Sequence, residues 1–219
     1  MDIKNKKINF LGDSITEGHG VADRNNIYLN RLLAEVPLAK ARNYGIGGTR
    51  IAPQRHPSEN PVWDKNYVSR YEDMDPDADI VVVFGGTNDF GHGDAPFGCF
   101  CDRTPETFCG ACHTLMSGLI TKYLRSTVVF MTPLHRLSED SPRGDGTKKS
   151  DAPLLEEYVR MIRRTAEYYS IPLLDLYSLS GIQPNVPAVR SAYCPDGLHP
   201  NDAGHRLIAD RLRGFLEAL

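Results

Sequence analysis

The sequence lacks any uninterrupted apolar run approaching the ~20 residues that a membrane-spanning helix needs. It also lacks an excess of basic charge. Lys and Arg number 25 against 28 Asp and Glu, giving a formal net charge of −3. That balance leaves no electrostatic case for nucleic acid or an anionic membrane as partner. No basic patch is interleaved with aromatics in the manner of single-strand binders. Cysteine is sparse and odd in number, at five, which does not make a tidy disulfide framework. The stretch from Met1 to Lys7 carries charge but no apolar core ahead of a small-residue cleavage site, so it does not read as a secretory signal. These absences predict a cytoplasmic, reduced protein. There is no repeat, low-complexity segment or linker, and residues 1–219 are expected to form one domain.

What is present alternates in period. Lys7 to Leu11, Ala41 to Gly45, Asp79 to Phe84, Thr127 to Met131 and Ile171 to Leu176 read as strands. Asp79-Ile80-Val81-Val82-Val83-Phe84 is the clearest, and its continuous apolar run suits a central parallel strand covered on both faces. Helices are expected over Asn25 to Val36, Val62 to Tyr71, Thr104 to Leu124, Ala152 to Tyr169 and Asp202 to Leu219. Residues 50–61 and 90–103 read as loop. Residues 134–151 form a long polar loop of the kind used as a lid or left disordered. Strands alternating with helices imply a parallel sheet with right-handed crossovers, whose ligands gather beyond the carboxyl ends of the strands.

Ser14 stands just past the first strand, in Gly12-Asp13-Ser14-Ile15-Thr16-Glu17-Gly18. A serine there can be a presented nucleophile or an ordinary helix cap. Near the other end, Asp196 and His199 lie three apart in a segment punctuated by Gly and Pro. A serine hydroxyl needs a base within hydrogen-bond reach, and the base needs a third group to fix its tautomer. Asp196 and His199 supply both if the fold brings them to Ser14. Thr16 stands where a Gly-x-Ser-x-Gly elbow requires glycine, which argues against the α/β-hydrolase fold.

Four stretches in order resemble the blocks of the SGNH (GDSL-type) hydrolase family: Gly12-Asp13-Ser14-Ile15, Asn43-Tyr44-Gly45-Ile46-Gly47-Gly48-Thr49, Gly86-Thr87-Asn88-Asp89 and Asp196-Gly197-Leu198-His199-Pro200-Asn201. The resemblance implies a flavodoxin-like three-layer α/β/α sandwich around a five-stranded parallel sheet. It implies Ser14 as nucleophile, His199 as base and Asp196 as its orienting partner. It also implies an oxyanion hole made of the Ser14 and Gly48 amides and the Asn88 side chain. Gly47 departs from the serine many relatives carry, leaving Gly47 or Gly48 as the amide donor; spacing favours Gly48. Asp13, Asp89 and His135 are further candidates for substrate contact, although the two aspartates read first as loop-ordering residues.

Cys99, Cys101, Cys109 and Cys112, with His113 adjacent, have a spacing that could bind zinc. The pattern lacks paired Cys-x-x-Cys knuckles, and Cys109 and Cys112 fall on an expected helix. No metal and no cofactor are therefore expected. The implied function is hydrolysis of a carboxylic ester through an acyl-enzyme, with a short acyl or acetyl group and acetylated sugars as one candidate substrate class. A lysophospholipase or thioesterase of the same fold is the rival, with a long apolar groove as its signature. A non-catalytic binding module remains the alternative from another class.

Overall fold

The computed structural model describes all residues, Met1–Leu219. Five strands form one parallel sheet: β1 (Lys7–Gly12), β2 (Lys40–Gly45), β3 (Ile80–Phe84), β4 (Thr127–Met131) and β5 (Leu173–Leu174), in the order β2-β1-β3-β4-β5. Nine helices accompany them: α1 (Ser14–Glu17), α2 (Tyr28–Glu35), α3 (Tyr67–Arg70), α4 (Thr87–His92), α5 (Phe108–Lys122), α6 (Leu155–Tyr168), α7 (Leu176–Leu179), α8 (Pro187–Tyr193) and α9 (Asp202–Ala218). The result is the three-layer α/β/α sandwich with flavodoxin-like strand order. No helix is long and apolar enough to cross a membrane.

Side chains alternate across the sheet, so each central strand feeds two cores. Ile80, Val82 and Phe84 of β3 join Ile8 and Phe10 of β1 in a core closed by α2 and α9. Val81 and Val83 join Leu11 and Phe130 in a second core closed by α5 and α6. This is why β3 reads as an unbroken apolar run: both of its faces are covered. The edge strand β2 is mostly polar and only partly buried, which suits a sheet edge. One buried polar residue interrupts β1. Asn9 is fully engaged, donating to Asp75 O and Tyr123 Oη and accepting from Arg42.

The helix expected over Val62 to Tyr71 is broken into two 3-10 turns, Pro61–Asp64 and Tyr71–Asp73, around the four-residue α3, and other differences from the sequence reading sit at element ends. The helix expected from Thr104 begins at Phe108, where the Thr107 hydroxyl caps the Gly110 amide at 3.1 Å. The helix expected from Ala152 begins at Leu155. Strand β5 shrinks to two residues because Pro172 has no N–H for the ladder and Asp175 starts α7 by capping Ser178. Helix α4 occupies the start of an expected loop, and α8 was not foreseen. The expectation of reduced cysteines fails at one pair. Cys99 and Cys101 are joined by a disulfide, their Cα atoms brought 5.3 Å apart by a tight loop.

Candidate active site

The strand order reverses between β1 and β3, and the crevice at such a switch point is where this architecture places ligands. Ser14 follows β1 and Asn88 follows β3, one on each side. Asp13 caps α1 by accepting the Ile15 amide at 3.0 Å, which fixes Ser14 as the first helical residue. Ser14 Oγ lies 3.0 Å from His199 Nε2. His199 Nδ1 lies 2.7 Å from Asp196 Oδ2, while Asp196 Oδ1 accepts the amides of Leu198 and His199 at 2.8 and 2.7 Å. Partial burial opposes ionisation of Asp196, but these bonds outweigh it and hold the carboxyl below its ordinary range. An ionised carboxylate accepts only, so the His199 proton sits on Nδ1 and the Nε2 lone pair faces the serine.

Three donors border this line. The Ser14 amide opens α1 and has no intrahelical partner, as for any first-turn N–H. The Gly47 amide is committed to Glu17 Oε2 at 2.6 Å, whereas the Gly48 amide makes no hydrogen bond within the protein. Of the two glycines, only Gly48 keeps its amide free of a protein partner. Gly48 has a φ of +75°, and a Cβ there would run into the Trp63 indole. Asn88 spends one Nδ2–H on Thr49 O at 3.0 Å, leaving the other without a protein partner.

Ser14, Gly48, Asn88 and His199 line a cavity of about 1190 Å³. Residues 145 and 147–153 form one wall of it. That stretch of the 134–151 loop is anchored by the Asp145 amide on Gly91 O at 2.9 Å and by Lys148 Nζ on Asp89 O at 2.9 Å. Burial lowers the Lys148 ammonium to about 8.

The three weaker substrate candidates are not at the cavity. Asp13 is buried as a cap, and Asp89 is buried while accepting the amides of Ile51 and Ala52 at 2.9 Å each. Both order loops. His135 pairs with Glu139 at 2.8 Å and lies tilted against Tyr177; it is not among the residues lining the cavity, whereas its neighbour Arg136 is. Sequence reasoning missed Arg50, Trp63, His92, Arg136 and Lys148, all of which line the cavity. His92 had a visible signal, since it lies four residues after Asn88 on what proved to be one helix.

The cysteine cluster does not assemble. Cys99 and Cys101 lie near Asp102 but are bonded to each other. Cys109 and Cys112 are buried within α5, and burial pushes the Cys109 thiol up to about 12. The His113 ring is engaged by Phe100 O and Tyr169 Oη.

A parallel five-stranded sandwich with serine, histidine, aspartate and free amide donors at its switch point is the arrangement of SGNH-type hydrolases. The chain belongs to the GDSL-like lipase/acylhydrolase family, whose model matches residues 10–207, and is a hydrolase acting on ester bonds. A solved structure of a protein from Lactobacillus plantarum is 32% identical, with 99% of each chain covered and a TM-score of 0.85. A two-domain esterase active on acetylated mannans is 23% identical, with 97% of this chain and 48% of that chain covered and a TM-score of 0.63. A member of the lipolytic G-D-S-L family from Veillonella parvula is 18% identical, covers 97% and 99%, and has a TM-score of 0.63. No curated protein sequence matches the chain.

Proposed function

We propose that the protein is a serine esterase that cleaves short-chain, polar carboxylic esters through an acyl-enzyme on Ser14. The observation that carries the reading is the continuous line from Ser14 Oγ through His199 to Asp196, at 3.0 and 2.7 Å, opening into the cavity. His199 Nε2 takes the Ser14 proton as Oγ attacks the carbonyl carbon, then returns it to the leaving alcohol. Water repeats the sequence on the acyl-enzyme and releases the acid. Asp196 holds the imidazole and offsets the charge it gains. The Ser14 and Gly48 amides and the free Asn88 N–H receive the oxyanion; loss of one such donor typically costs about 2.7–4 kcal/mol.

The short-acyl, polar-alcohol preference is our reading of the cavity's lining. Charged and polar side chains, among them Glu17, Arg50, His92, Arg136 and Lys148, line the cavity and support a polar alcohol over a long apolar chain. A hydroxyl-rich alcohol such as an acetylated sugar finds donors and acceptors there. The mannan-active esterase shares the fold alone at its level of identity, so the sugar-ester reading rests on this lining.

A series of p-nitrophenyl esters from acetate to long chains, run on wild type and Ser14→Ala, tests the proposal. Ser14-dependent turnover that falls with chain length is expected. A preference for long chains would overturn the substrate class, and undiminished turnover in Ser14→Ala would overturn the mechanism.

A further inference from the structure

The side chains behind Asn88 form a directed chain. Arg50 is buried at 3% exposure in the segment that follows Gly48. One terminal guanidinium nitrogen of Arg50 sits 2.5 Å from His92 Nδ1, and the other donates to Trp63 O at 3.0 Å. His92 Nε2 sits 3.2 Å from Asn88 Oδ1, one turn earlier on α4. No carboxylate forms an ion pair with Arg50, so its charge is not spent on a salt bridge.

The roles along this chain are forced by donor chemistry. A guanidinium has five donors and no acceptor, so His92 Nδ1 must accept. A neutral imidazole then carries its proton on Nε2, and Asn88 Oδ1 must accept it. Burial, reinforced by the nearby Arg50 charge, lowers His92 to about 4 and keeps it neutral. With its oxygen held by His92, the Asn88 amide turns its nitrogen to Thr49 O and to the cavity. The opposite flip would set Oδ1 against the Thr49 carbonyl and place a lone pair where an oxyanion develops. We infer that Arg50 and His92 are positioning residues that lock the Asn88 amide in its donor orientation. The inference rests on the Ser14 esterase reading. The same short segment supplies the Gly48 amide, the Thr49 carbonyl and the Arg50 guanidinium, so two of the three oxyanion donors are set by one loop.

The test is a double-mutant cycle on p-nitrophenyl acetate, with kcat and KM measured separately and folding checked by thermal melts. Asn88→Ala should lower kcat by roughly 100- to 1000-fold. His92→Leu should lower kcat less than that, leave KM within about twofold, and cost nothing further in the Asn88→Ala background, because effects of residues acting as a unit do not add. His92→Gln, which can accept from Arg50 and donate to Asn88, should recover most of the loss, and Arg50→Met should behave like His92→Leu. Losses that multiply in the double variant, a change confined to KM, or no loss in Asn88→Ala would overturn the inference while a dead Ser14→Ala still upheld the esterase. Undiminished turnover in Ser14→Ala would instead remove the reading on which it rests.

Discussion

Asp13 offers a prediction whose size follows from its surroundings. Its side chain is 2% exposed directly before the proposed nucleophile. Burial raises its carboxyl from 3.8 to about 7, despite relief from the Ile15 amide and the Arg70 charge. The folded state therefore takes up a proton that the unfolded chain releases, and stability falls as pH rises from 3.8 towards 7 before levelling off. Linkage between these two values gives a cost of about 2 kcal/mol at pH 5 and about 4 kcal/mol at pH 8. Asp13→Asn keeps an oxygen for the Ile15 amide and removes the ionisation. Urea unfolding of both proteins at the two pH values is the assay. The variant should gain on wild type by about 2–3 kcal/mol between pH 5 and pH 8. A stability difference between the two proteins that is the same at both pH values would refute the reasoning.

Other perturbations separate the site from its scaffold. Gly48→Ala places a Cβ against Trp63 at a φ of +75°, so the loop must shift and kcat should fall by roughly 100-fold or more; wild-type kcat would mean the Gly48 amide is not a donor. Asp196→Asn keeps acceptors for the Leu198 and His199 amides but leaves an uncharged partner for His199. Turnover should drop by about 10⁴-fold with little change in melting temperature. His135→Ala should leave KM for acetyl esters unchanged in steady-state assays, because its ring pairs with Glu139 away from the cavity.

The residues brought together at the switch point were legible because each carried a strong local signal. An apolar strand ended in Gly-Asp-Ser, a glycine pair followed β2, Asn88 followed β3, and Asp196 and His199 stood three apart. Strand positions were also legible, since β3 and β4 are covered on both faces and their runs have no polar interruption. Helix starts were not. Thr104 and Thr107 are both plausible caps, and only the packed structure shows Thr107 bonded to Gly110. His135 misled because proximity to the end of β4 does not fix side-chain direction; the Glu139 pairing does, and it lies within a loop with no periodicity. Arg50, His92 and Arg136 were invisible as a group because the fold joins them from three segments. The Cys99–Cys101 link was missed because an odd cysteine count describes the chain, whereas bonding depends on one local turn.

The most direct measurement of the central claim is active-site labelling with a fluorophosphonate, mapped by peptide mass spectrometry in wild type, Ser14→Ala and His199→Ala. The account predicts a single adduct on Ser14, none in Ser14→Ala, and labelling slowed strongly in His199→Ala. An adduct on another residue, or labelling of Ser14 at the same rate without His199, would contradict it.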